Sequence, residues 1–173
     1  RSISCLGNVR QSLALIMSYA AENNNYMRSE TAGAWVTWSK NLVTLSYVKD
    51  YAGMRCPSAI LTPGSGDPAP ATTDWELTYG AIAKDNGGLI KLTPPYPSKT
   101  IVLSDTSTLN TSSMVPTGRP NAYFCEWSAA VRADVGNPYL AHRKQMNTGF
   151  IDGHAASLGS PAIKGLYYYN RFL

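Results

Sequence analysis

Charge is scarce in this sequence. Asp, Glu, Lys and Arg make up 15% of residues, against about 25% in an ordinary soluble domain. The 15 Lys and Arg exceed the 11 Asp and Glu by four, a net charge of +4, and Arg143-Lys144 is the one adjacent cationic pair. Neutralising successive phosphates needs a clustered basic stripe, so nucleic acid is not an expected partner. No run of 18 apolar residues exists, and nothing in the chain reads as a membrane span. Heptads and Gly-X-Y repeats are missing too, which excludes coiled coils and collagen-like fibres. Cysteine and histidine number three and two. They form no C-x-x-C or finger spacing, so structural zinc is not expected. Gly87-Gly88 reads as a turn rather than a phosphate loop, and no calcium-loop pattern occurs. Cys125 with His142 or His154 is a nominal nucleophile and base, but nothing nearby resembles a nucleophile elbow. The chain reads as non-enzymatic and without a cofactor.

What is present is order of two kinds. Leu6, Val9, Leu13, Ile16, Met17 and Ala20 recur at steps of three and four, which predicts an amphipathic helix over residues 3–21. Ser2 or Ser4 can cap its start, and Asn23-Asn24-Asn25 stops it by competing for backbone hydrogen bonds. A second helix is expected over 31–47, with Trp35, Trp38, Leu42 and Leu45 on its core face. After Cys56-Pro57 the pattern shifts to short strands and turns. Strands are expected within Trp75–Ile82, Thr100–Leu103 and Tyr123–Val131, and surface loops at 62–73 and 104–121. Asp152-Gly153, between short apolar runs, predicts a two-residue type I′ hairpin turn. Helix first and sheet later makes an α+β domain of residues 1–173, divided into the helix 1–23 and a globular part 24–173.

Cys5 lies at the start of the first helix and Cys56 just past the second. Either the two form a disulfide, which requires an oxidising compartment, or all three cysteines are buried thiols. The most specific spacing is His142, nine residues, then Asp152-Gly153. Along one straight strand, ten steps of about 3.3 Å would part the two side chains by about 33 Å. A shared site would need the chain to fold back near 147–149. The structural reading has Asp152 forming the turn and His142 fixing the hairpin's far end.

That spacing, in HRKQMNTGFIDGH, resembles the prepilin-type processing-associated domain family, which is defined by His, nine spacers and Asp-Gly. The opening segment is similar to the part that follows the hydrophobic prepilin helix in that family, with Arg1, Cys5, Asn8, Arg10 and Gln11 matching. Trp38, Leu42, Cys56-Pro57-Ser58, Tyr79-Gly80 and Ser98 through Asp105 follow in the family's order. Two departures are Arg143-Lys144, where Asn-Gly often follows the His, and Ala155 in place of Val.

The resemblance implies a pilin-like fold, with a long N-terminal helix packed on an antiparallel sheet. It also implies a bacterial pseudopilin-like subunit of a type II secretion or type IV pilus-like assembly. Such a protein is anchored in the inner membrane by a hydrophobic helix, with its head in the periplasm or at the cell surface. Its partners are other pseudopilin subunits, secretion-machinery proteins and, on the precursor, prepilin peptidase. The chain opens at Arg1 rather than Met and reads as a trimmed head, with leader and anchor expected before it. The competing expectation is an extracytoplasmic binding module for glycans or other polymers. It would use Trp75, Trp127 and the tail Tyr167-Tyr168-Tyr169, which are also the candidate partner surface of a pseudopilin head.

Overall fold

The computed structural model describes residues 2–30, 37–57, 78–83, 88–107, 123–125 and 137–164. The chain begins with helix α1, Ser2–Glu22. Its buried ridge is Cys5, Val9, Leu13, Ile16 and Ala20, with Leu6 and Met17 half-buried at the margins. Ser4 lies inside the helix and is exposed. Termination follows from the asparagines. Asn24 and Asn25 take left-handed φ values of 55° and 63°, a conformation Asn tolerates better than most residues. Asn25 N–H then donates to Ala20 O at 2.7 Å, and Asn23 Nδ2 donates to Tyr19 O at 2.7 Å, so carbonyls of the last turn are satisfied.

The chain leaves this cap as strand β1, Tyr26–Glu30. Helix α2, Trp38–Thr44, is capped by Thr37, whose Oγ1 accepts the Lys40 N–H at 3.3 Å. The expected helix over 31–47 is therefore shorter at its end, and residues 31–36, including Trp35, lie outside the described residues. Ser46 turns left-handed at φ 61°, and Tyr47 N–H closes onto Leu42 O. Leu45 consequently leaves the core face and is 51% exposed, whereas Trp38 and Leu42 are buried as expected.

Five strands make the main sheet: β2 Gly80–Ala83, β4 Ile101–Ser104, β6 Tyr123–Cys125, β8 Gln145–Phe150 and β9 Ala155–Gly159. Their order is β6-β2-β4-β8-β9. All neighbours are antiparallel except β2 and β6, which run parallel, so the expectation of a purely antiparallel sheet is corrected at that edge. Every residue of β4 is buried, which is why Ile101-Val102-Leu103 is a continuous apolar run rather than an alternating one. The strand β3, Gly88–Lys91, pairs with β1 in a separate ribbon that points Met27 and Ile90 into the core. Gly88 therefore opens a strand rather than sitting in a turn.

The expected loop at 104–121 is also corrected at its start. Ser104 ends β4, and β5, Thr106–Ser107, pairs with β7, Asn137–Pro138. The one-turn helix α3, Ser160–Lys164, follows β9. Loop 62–73 and residues 108–121 and 126–131 lie outside the described residues.

The ridge of α1 rests on the sheet. The approach is tight at Gly149 in β8, where a Cβ would stand 3.1 Å from Leu13 Cδ2 and 3.4 Å from Val9 Cγ1. The architecture is α+β. Among the described residues, no helix is long and apolar enough to cross a membrane.

Candidate functional site

The foot of α1 is joined covalently to the segment after α2. Cys5 and Cys56 form a disulfide with a Cα–Cα distance of 4.9 Å, within the usual range. Both are buried. A 3-10 turn at Ala52–Met54 brings Cys56 to the helix. It is held there by Asn8 Nδ2 donating to Arg55 O at 2.9 Å and Ser12 Oγ donating to Gly53 O at 3.3 Å. Tyr79 closes the other side: its hydroxyl donates to Cys5 O at 2.9 Å, and its own carbonyl accepts Trp38 Nε1–H at 2.9 Å.

His142 enters this cluster from the start of the β8–β9 hairpin. His142 and Gln145 exchange both backbone hydrogen bonds at 2.9 Å across Arg143 and Lys144, whose φ values are 50° and 65°. Two central residues with positive φ make the type I′ pattern. The hairpin expected at Asp152-Gly153 is present as the β8–β9 pair, but the type I′ geometry expected there is found at Arg143-Lys144. His142 is 7% exposed, and its Nε2 lies 3.3 Å from Cys56 Sγ and 3.5 Å from Asp105 Oδ2.

Asp105 is clamped in turn. Its N–H donates to Asn147 O at 2.9 Å, its carbonyl accepts Tyr139 N–H at 3.0 Å, and Oδ2 accepts Asn147 N–H at 2.7 Å. Burial pushes the Asp105 carboxyl up to about 7, against the lowering effect of the Asn147 hydrogen bonds. Burial also lowers His142 below the ordinary imidazole value and, with the Asp105 charge, raises Tyr79 well above the phenol range.

Cysteine, histidine and aspartate in contact suggest a nucleophilic triad, but the arrangement differs from one. A triad's acid holds the ring nitrogen opposite the nucleophile. Here Cys56 and Asp105 both face Nε2, and the Cys56 sulfur is bonded to Cys5. The cysteine seen against His142 is Cys56; the nominal pairing with Cys125, which lies in β6, falls on a side chain outside the description.

The other end of the motif is remote from this cluster. Asp152 and Gly153 connect β8 to β9 at the far tip of the hairpin, about 17 Å of strand away. Gly153 N–H donates to Phe150 O, Phe150 N–H donates to His154 O, and Gly153 alone of the connection has positive φ, at 90°. This is a three-residue connection ending in a left-handed glycine, not a two-residue type I′ turn. His142 therefore fixes the near end of the hairpin and Asp152 its tip, and the two share no site. His154 stacks on Phe150 with ring centroids 4.1 Å apart, and its Nδ1 lies 2.5 Å from Asp152 Oδ1. Burial acts to raise the Asp152 carboxyl, but hydrogen bonds from the His154 ring and N–H outweigh it and leave it lowered.

Trp75, Trp127, Tyr167, Tyr168 and Tyr169 lie outside the described residues. Sequence spacing did not single out Asp105 and Tyr79 as site residues, although both fall within the segments that carry the family resemblance. Only the fold shows that Cys5, Asn8, Trp38, Cys56, Tyr79, Asp105 and His142 form one connected network. No family model matches the chain, and neither the curated proteins nor the solved structures contain a match to it.

Proposed function

We propose that this chain is the head of a bacterial pseudopilin-like subunit in a type II secretion or type IV pilus-like assembly, working by packing and contact without turnover or a cofactor. The observation that carries the reading is the seating of α1. Its ridge of Val9, Leu13, Ile16 and Ala20 is buried on the sheet, while Ile3, Arg10, Gln11, Ala14 and Ser18 face outward. A helix half committed to its own domain and half open suits a pilin-like spine that also packs against neighbouring subunits. Further support is that several of the residues behind the resemblance (Cys5, Asn8, Trp38, Cys56, Tyr79, Asp105 and His142), dispersed over much of the chain, converge on one stapled network at the foot of that helix. In this reading the head lies in the periplasm or at the cell surface, carried by an inner-membrane anchor. Its partners are other pseudopilin subunits, secretion-machinery proteins and prepilin peptidase.

The test is to express the full gene product beside a prepilin peptidase, with cysteines placed at Arg10 and Ser18 in turn. The expected outcome is peptidase-dependent N-terminal cleavage, together with subunit crosslinks through those positions that the parent protein does not give. An uncleaved, uncrosslinked product would overturn the reading.

A further inference from the structure

The cluster at the foot of α1 also has the composition of a metal site. Cys5 Sγ, Cys56 Sγ and one ring nitrogen of His142 all lie within 4.8 Å of one another, and all three residues are buried. Asp105 adds a carboxylate oxygen 3.5 Å from that same Nε2. Tetrahedral zinc with bonds of about 2.3 Å to sulfur and about 2.0 Å to nitrogen or oxygen sets ligand-to-ligand distances of about 3.5 Å for S···N and about 3.3 Å for N···O. The observed separations of 3.3 Å for Cys56–His142 and 3.5 Å for His142–Asp105 are already close to these values. Two things must change. The two sulfurs, which zinc holds about 3.8 Å apart and a disulfide holds in bonding contact, must part. The Asp105 carboxylate, which lies outside the group of ligand atoms within 4.8 Å of one another, must swing towards them.

We propose that this site is a redox-gated zinc site. It is closed as the Cys5–Cys56 disulfide, and after reduction the two cysteines, His142 and Asp105 form a tetrahedron for one Zn2+. A dithiol opens it. One thiolate of the dithiol attacks a sulfur of the bridge to give a mixed disulfide, and the second displaces the protein cysteine. The dithiol leaves as its own disulfide, oxidised by two electrons, and Cys5 and Cys56 are left as thiols. Zinc binding then displaces both thiol protons, with any proton on Asp105, to solvent, and the metal's oxidation state does not change. Two thiolates, an imidazole and a carboxylate suit zinc, which prefers four ligands of mixed sulfur and nitrogen or oxygen character. The segments that carry the ligands are already held beside one another. The type I′ turn roots His142, β8 clamps Asp105, and the hydrogen bonds of Asn8, Ser12 and Tyr79 hold the two cysteine segments together. This proposal does not depend on the filament reading.

The experiment uses a Cys125→Ser variant, reduced with a phosphine and desalted anaerobically. Co2+ serves as the spectroscopic probe and Zn2+ as its competitor. The reduced protein should take up one Co2+ per chain, with sulfur-to-cobalt charge-transfer bands and the visible bands of tetrahedral cobalt, and Zn2+ should bleach them. The oxidised protein should show none of these bands. Removing even an outer-shell partner of a metal site costs about 10- to 100-fold in affinity, so His142→Ala and Asp105→Asn should each weaken binding at least tenfold. A reduced chain that stays folded without these bands, or a His142→Ala variant that binds as tightly, would overturn the proposal. If reduction alone unfolds the chain, one equivalent of Zn2+ should restore the native circular dichroism, and failure to do so would equally overturn it.

Discussion

Gly149 and Leu13 set how closely α1 approaches the sheet. A Cβ on Gly149 would stand 3.1 Å from Leu13 Cδ2, and Leu13 is itself almost fully buried. Extra methyl groups in a packed core cost about 1–3 kcal/mol. Gly149→Val should therefore lose about 2 kcal/mol of unfolding free energy, and Gly149→Ala, which asks only a small shift of a leucine methyl, less than about 1 kcal/mol. In a Leu13→Ala background, which opens space there, the cost of Gly149→Val should largely disappear. Urea unfolding of the four proteins measures this coupling, and simple additivity would count against the contact.

The turn at Arg143-Lys144 predicts a gain. Each holds a left-handed backbone that disfavours side-chain-bearing residues by about 1–2 kcal/mol, and Asn-Gly is the pair suited to type I′ geometry. Arg143→Asn with Lys144→Gly should stabilise the protein by about 1 kcal/mol or more. The opposite change at the hairpin tip, Gly153→Ala, should destabilise by about 1 kcal/mol through backbone strain alone. No atom lies within 4 Å of the added methyl. Thermal midpoints should move in opposite directions for the two variants.

Removing the staple should cost more than any of these. Cys5 and Cys56 are separated by 51 positions, and closing a loop of that length stabilises by about 4 kcal/mol in the chain-entropy treatment. The Cys5→Ser, Cys56→Ser double variant, unfolded in urea without metal, should fall short of the parent by roughly that amount. An unchanged midpoint would show that the bridge adds nothing to folding.

Acid should act at the hairpin tip. The Asp152 carboxyl is held below its ordinary value of 3.8 by its hydrogen bonds to His154. A carboxylate lowered in the folded state binds its proton more readily once unfolded. Its contribution is therefore present above pH of about 4 and lost as pH falls through the lowered value. Asp152→Asn should be less stable than the parent near neutrality, and the gap should close on acidification towards pH of about 3. The residue is partly exposed, so the effect is small and best read as a difference between paired urea midpoints.

Much of α1 was legible because burial of one helical face imposes its period directly on the sequence, and the asparagine run that ends it acts locally. The bridge between Cys5 and Cys56 was legible as one of two alternatives. The type I′ turn was not, because Arg143 and Lys144 carry none of the usual turn chemistry. Pairing at His142 and Gln145 imposes the conformation on them. Asp152-Gly153 carried that chemistry and misled, since with Ile151 ahead of it only the glycine needed positive φ. The parallel pairing of β6 with β2 leaves no mark in a three-residue strand. Asp105 looked like the start of a surface loop, and its role depends on Asn147 and His142, about forty positions further along the chain.

The covalent link in the first turns of α1 has a mechanical consequence. Tension applied along that helix from its N-terminal end meets a sulfur–sulfur bond before it loads any apolar contact. The helix cannot be peeled from the body turn by turn from that direction. Force passes through Cys56 to the segment latched by Asn8, Ser12 and Tyr79, and the domain resists pulling as one block.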